Sequence, residues 1–114
     1  MDSDKRKHPR TTAGSRVRYR SSPSRHATAQ YCEGLLENVS LGGVFITAEQ
    51  PLPEGDLVEL ELQSGFGDEP ILATAVVRWN RTRFQPRGMG LQFVEFEGRG
   101  KEQLEAWIQG LLSR

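Results

Sequence analysis

An all-β fold is predicted, a six-stranded antiparallel barrel with one C-terminal helix, and three features of the sequence carry that expectation. Leu57 to Leu62 alternates strictly, with Val58, Leu60 and Leu62 on one face and Glu59 and Glu61 on the other, the period of a half-buried strand. Short apolar runs of this kind recur along the chain, separated by clusters of Gly, Pro, Asn and Ser that suit turns. Only at the end does the period change: Leu104, Trp107, Ile108 and Leu111 recur at i, i+3, i+4 and i+7, which makes a single apolar stripe on a short helix.

Taken in order, Val17 to Arg20 forms a first strand and Ser21 to Ser24 a turn-rich exit from it. Gln30 to Val39 and Val44 to Thr47 flank Ser40-Leu41-Gly42-Gly43, where paired glycines permit a reversal at positive φ. Pro51 and Pro53 interrupt before the alternating strand Leu57 to Leu62. A loop over Gly65 to Pro70 leads to Ile71 through Trp79, and an arginine-rich loop, Arg81 to Arg87, leads to Gly90 through Phe96. The helix spans about residues 100 to 113, and Gly110 weakens it by about 1 kcal/mol relative to alanine, so packing on the sheet must supply much of its stability. Six short antiparallel strands favour closure, which removes exposed strand edges.

A chain of 114 residues with 36% hydrophobic and 8% aromatic residues suits one soluble globular domain. No apolar run approaches the roughly 18 residues that cross a bilayer, and Met1 to Arg10 lacks the apolar stretch of a signal peptide. A cytoplasmic protein without membrane insertion is the expectation. Cys32, the one cysteine, can form no internal disulfide and reads as a small packing residue. His8 and His26 lack ligand-like spacing, so no zinc site is expected. Asn38-Val39-Ser40 is also a glycosylation sequon, without meaning in a protein that is not secreted.

The formal net charge is zero but unevenly spread. Residues 1 to 25 hold eight Lys or Arg against Asp2 and Asp4, a formal +6 set against −6 in the remainder. Such an asymmetry points to an anionic partner for the basic end. Within it, Arg6-Lys7-His8-Pro9-Arg10 places two arginines in an RxxxR spacing, and Pro9 keeps them on an extended tether. Residues 1 to 12 are accordingly expected to be a flexible basic arm, and residues 13 to 114 the barrel domain with its helix. A second motif, Asn38-Val39-Ser40-Leu41-Gly42-Gly43, fits [DN]xSxxG at a hairpin. Alone it suits an ordinary Asx-type turn; together and in this order the two motifs are much rarer.

With Arg6 and Arg10, then Asn38, Ser40 and Gly43, then AVVRW at Ala75 to Trp79 and GMGLQF at Gly88 to Phe93, the chain resembles the PilZ domain family over nearly its whole length. The resemblance implies a six-stranded antiparallel barrel with a terminal helix, and a bacterial receptor for the second messenger cyclic di-GMP, with no cofactor. It implies a binding site of Arg6, Arg10, Asn38, Ser40 and Gly43, with Lys5 and Trp79 nearby. Two positions depart from the common pattern: Lys5 stands where many members carry arginine, and Asn38 replaces the commoner Asp. Lys5 bears on how strongly, and in how many stacked copies, the ligand is held.

The chemistry agrees with the resemblance. Cyclic di-GMP carries two phosphates and two guanines, whose O6 and N7 acceptors match the arginine fork. A lysine cannot reproduce that geometry, whereas a guanidinium can also stack on a purine. Ser40 lies in no nucleophile elbow and Glu59 and Glu61 read as a solvated face, so no enzyme is expected. The partners expected are cyclic di-GMP and a protein of motility, adhesion or exopolysaccharide machinery, which would read the surface changed when ligand orders the arm over the barrel. Two alternatives stand beside this: a PilZ-like adaptor that binds protein without nucleotide, and a small nucleic-acid-binding barrel. The latter lacks an evident row of exposed aromatics for base stacking.

Overall fold

A computed structural model describes residues 11–22, 30–63 and 69–113, with side chains from residue 15 onward. Six strands, β1 (Thr11–Ser22), β2 (Cys32–Val39), β3 (Gly43–Thr47), β4 (Leu57–Leu62), β5 (Ile71–Arg81) and β6 (Gly88–Phe96), precede helix α1 (Gly100–Leu112). The strands close in the order β1-β2-β3-β6-β5-β4, every neighbouring pair antiparallel. The expected all-β barrel with a C-terminal helix is therefore the fold. No helix among the described residues is long and apolar enough to cross a membrane.

Alternation decides what enters the barrel. Val58, Leu60 and Leu62 of β4 are buried together with Val17 and Tyr19 of β1, Ile71, Ala75 and Val77 of β5, and Met89 and Leu91 of β6. Helix α1 adds Leu104, Trp107 and Ile108 to the same core and packs on β1 and β5. Its Trp107 is among the largest fully buried side chains, which offsets the helix-weakening Gly110.

Two expectations change. Strand β1 is three times the length of the Val17–Arg20 run, because its flanks, without apolar alternation, are held by their neighbours instead. Thr11 to Tyr19 pairs with β2, and Val17 to Ser22 with β4. The carboxylates of β4 are also less solvated than their alternation suggests. Glu59 and Glu61 lie directly across from Arg20 and Arg18 and form ion pairs with them at 2.7 and 3.1 Å. The Tyr31 ring lies against both guanidinium groups, its centroid 4.4 Å from that of Arg20 and 4.6 Å from that of Arg18. Part of the positive charge read as a free basic end is thus fixed on a strand and neutralised there.

Candidate functional site

The strand registers assemble a transverse row across five strands. Thr12 of β1 pairs with Asn38 of β2, Asn38 with Phe45 of β3, Phe45 with Gly90 of β6, and Gly90 with Trp79 of β5. Directly paired residues share a face, and from Asn38 to Trp79 it is the outer one, since Asn38 and Phe45 are half-buried and Trp79 is 39% exposed. Phe45 and Trp79 stack with centroids 5.2 Å apart and planes 23° from parallel. Gly90 makes room for this: a Cβ there would stand 2.2 Å from the indole nitrogen of Trp79. The indole therefore lies across the glycine, stacked with Phe45 and partly exposed.

Arginines border this aromatic pair. A bulge in β5 between Val77 and Trp79 leaves Arg78 and Trp79 both exposed, since the extra residue breaks the in–out alternation. The Arg78 Nε donates to Gln92 Oε1 at 2.6 Å, and Gln92 is the partner of Gly43, so that guanidinium stands beside the β2–β3 turn. Arg81 lies over the Phe45 ring at 5.7 Å, and its Nε donates to the Pro86 carbonyl at 2.8 Å.

The turn itself is built by Ser40. Its hydroxyl oxygen accepts from the Gly42 and Gly43 amides at 3.1 and 3.2 Å, and its own amide donates to the Gly43 carbonyl at 2.9 Å. Ser40 is only 4% exposed. The positive-φ reversal expected of the glycine pair is not what closes the hairpin. Among the described residues the positive-φ glycines are Gly55 and Gly98, and the serine hydroxyl supplies the closure instead, as a local side-chain turn. Gly43 is needed for another reason. A Cβ would fall 2.1 Å from the Leu91 carbonyl oxygen, so only glycine lets β3 approach β6 so closely. Ser40 and Gly43 thus shape the turn, while Asn38 reaches the surface one residue before the end of β2.

Of the residues expected in the site, Asn38, Ser40, Gly43 and Trp79 gather at one end of the outer face. Lys5, Arg6 and Arg10 lie outside the described residues. The register nevertheless fixes where that segment joins the barrel: Thr11, bonded to Arg10, pairs with Val39 between Asn38 and Ser40. Sequence reasoning missed Phe45, Arg78 and Arg81. Phe45 reads as one more apolar residue in a buried run, and the bulge that turns Trp79 outward beside Arg78 leaves no mark on the sequence. Phe45, half-buried, and Trp79, exposed, form one stacked pair that only strand pairing brings together.

Elsewhere, a depression of about 350 Å³ is lined by Glu69, Pro70, Leu72, Glu97, Gly98, Arg99 and Gln103. Its carboxylates would repel a phosphate ligand. No group of three or more His, Cys, Asp or Glu able to hold a metal occurs among the described residues.

The fold and this face define a small closed barrel carrying a cationic, aromatic surface beside a serine-built turn. The PilZ domain family model matches residues 4–110, and the chain belongs to that family. Among solved structures it is similar to the inhibitor of motility of Bacillus subtilis (MotI/DgrA), with a TM-score of 0.72 at 21% identity over 97% of this chain and 53% of that one. It is also similar to YcgR of Escherichia coli in complex with c-di-GMP, at TM-score 0.69 and 17% identity over 96% of this chain and 46% of that one. The PilZ domain of YcgR with c-di-GMP gives TM-score 0.61 at 18% identity, covering 96% and 93%. The chain thus spans about half the length of the first two. Comparison with curated proteins returns no match.

Proposed function

We propose that this chain is a cyclic di-GMP receptor that binds the ligand without transforming it. The observation that carries the reading is the row Thr12–Asn38–Phe45–Gly90–Trp79, one residue away from the point where the RxxxR segment enters β1. That row offers a flat indole for a purine, an amide for its edge, and two bordering arginines for phosphate. Arg6 and Arg10 would add bidentate contacts to guanine O6 and N7, with Asn38 beside them. Ser40 and Gly43 would act by holding the turn that presents Asn38 and the flanking backbone, and Lys5 by adding charge. Two of the similar structures, those of YcgR, are described with c-di-GMP, which supports the choice of ligand.

In this reading ligand binding orders the arm over the barrel. The segment concerned is residues 1–10, since Thr11 and Thr12 are already paired with Val39 and Asn38. Fixing each backbone residue costs about 1–2 kcal/mol, which the arginine contacts must offset. The resulting surface change is what a partner protein of motility, adhesion or exopolysaccharide machinery would sense in the cytoplasm of a bacterium. Titration calorimetry with cyclic di-GMP, cyclic di-AMP, GTP and a short oligonucleotide tests the function. Binding of the first alone, or at least tenfold tighter than the others, is expected. Equal affinity for cyclic di-AMP would contradict the guanine-reading arginines, and preference for the oligonucleotide would make the protein a nucleic-acid binder.

A further inference from the structure

The arginines of the barrel divide into two groups. Arg18, Arg20 and Arg99 each hold a glutamate at 3.1 Å or less. Arg81, Arg83 and Arg87, in contrast, form no ion pair, and Arg83 makes no hydrogen bond either, among the described residues. All three belong to the hairpin between β5 and β6, whose tip 82–87 is exposed throughout. Between Pro70 and Val94 the sequence contains no Asp or Glu to neutralise them. At the apex stands Phe84, 71% exposed, the most exposed large hydrophobic residue described. An unburied aromatic flanked by uncompensated charge stabilises nothing within the barrel, and exposed apolar groups rimmed by polar ones mark interaction sites.

We propose that this hairpin tip docks a partner protein that offers an apolar pocket for Phe84 rimmed by carboxylates for Arg83 and Arg87. Charge complementarity gives the sign of the partner. Composition gives its class. Every cation at the tip is arginine, although the chain uses lysine at positions 5, 7 and 101. An anionic membrane accepts either cation, whereas protein hot spots favour aromatic residues with arginine and are depleted in lysine. The tip also continues the face described above, since Arg81 at its base lies over Phe45 and donates to Pro86 within it. A partner seated on Phe84 would therefore border the proposed ligand surface. The inference rests on the partner half of the proposed function and not on its nucleotide half.

Backbone NMR titration of the full chain tests it, with three probes: a short peptide of glutamates around a central leucine and tryptophan, vesicles of phosphatidylcholine and phosphatidylglycerol, and oligothymidylate. The peptide should shift the backbone amides of residues 82–85, 87 and 88 and the Trp79 indole signal. Phe84→Ser and Arg83→Glu should each weaken it at least tenfold, with cyclic di-GMP binding by calorimetry unchanged. No shift at the tip with peptide at millimolar concentration overturns the proposal, as does unweakened binding by Phe84→Ser. Response to vesicles or oligonucleotide but not peptide overturns it in favour of that class. Loss of nucleotide binding by the wild type would sink the receptor reading alone.

Discussion

Thr11, which follows Arg10 in the chain, is paired between β1 and β2 with Val39, which lies between Asn38 and Ser40. The strand that begins directly after one motif is thus paired, at one end of the barrel, with the other motif almost thirty residues further along the sequence. Among the described residues, Thr11 to Arg16 pairs with β2 alone, and the register with β4 begins at Val17.

Ser40 gives the first prediction. Its hydroxyl satisfies the Gly42 and Gly43 amides in a nearly sealed turn, and a buried donor left without a partner costs about 1–3 kcal/mol. Ser40→Ala should lower stability in urea by about that amount. If the midpoint does not move, the turn does not depend on the hydroxyl and Ser40 is free for a ligand.

Two glycines should behave differently. At Gly43 an added Cβ meets the backbone oxygen of Leu91, which cannot retreat without parting β3 from β6. Gly43→Ala should cost several kcal/mol, on the order of 3 or more. At Gly90 the added atom meets the Trp79 indole, a half-exposed side chain that can swing away. Gly90→Ala should then cost about 1 kcal/mol or less in stability, shift indole fluorescence to the red, and weaken cyclic di-GMP binding. Unchanged fluorescence in Gly90→Ala would show that the indole does not lie where described.

Tyr19 sets the alkaline limit. Burial, assisted by neighbouring Cys32, pushes its pKa up to about 12, and its hydroxyl donates to the Gln50 carbonyl at 2.8 Å. The folded protein therefore holds this proton to higher pH than the unfolded chain, whose tyrosine titrates near 10. The contribution is complete below pH about 10 and is lost as pH rises through about 12, at most on the order of 2–3 kcal/mol. Denaturation profiles of the wild type should fall over that window, and Tyr19→Phe should fall less. Parallel profiles for the two proteins would count against a buried, protonated Tyr19.

The alternation of Leu57 to Leu62 and the stripe at Leu104, Trp107, Ile108 and Leu111 were enough to read both strand and helix, because burial alone dictates them. The length of β1 was not legible: Thr11 to Arg16 has no apolar period, and its pairing comes from β2. Likewise the motif at Asn38 to Gly43 marked the right turn, but the roles within it depend on distances. A serine in a hairpin can face ligand or backbone, and only the 3.1 and 3.2 Å bonds to Gly42 and Gly43 decide its engagement. The aromatic pair was hidden for a related reason, since Phe45 and Trp79 are 34 residues apart and meet only through Gly90.

Arm and barrel should be separable in their effects. Asn38→Ala and Trp79→Ala act on the barrel face, and each should weaken cyclic di-GMP by on the order of tenfold, the value of one lost stacking or hydrogen-bonding group. Fluorescence-monitored melting should show both variants folded. Full affinity in Trp79→Ala would remove the indole from the site.

The receptor reading stands most directly on Arg10, joined to the residue that pairs with Val39. Calorimetric titration of cyclic di-GMP into the wild type, Arg10→Ala and Arg10→Lys should show binding by the wild type and weakening by on the order of tenfold or more in both variants, because lysine keeps the charge but not the fork. Undetectable binding by the wild type at ligand concentrations of about 100 µM, weaker than the roughly −5.5 kcal/mol such an affinity represents, would contradict the account, and so would an Arg10→Lys protein that binds as the wild type does.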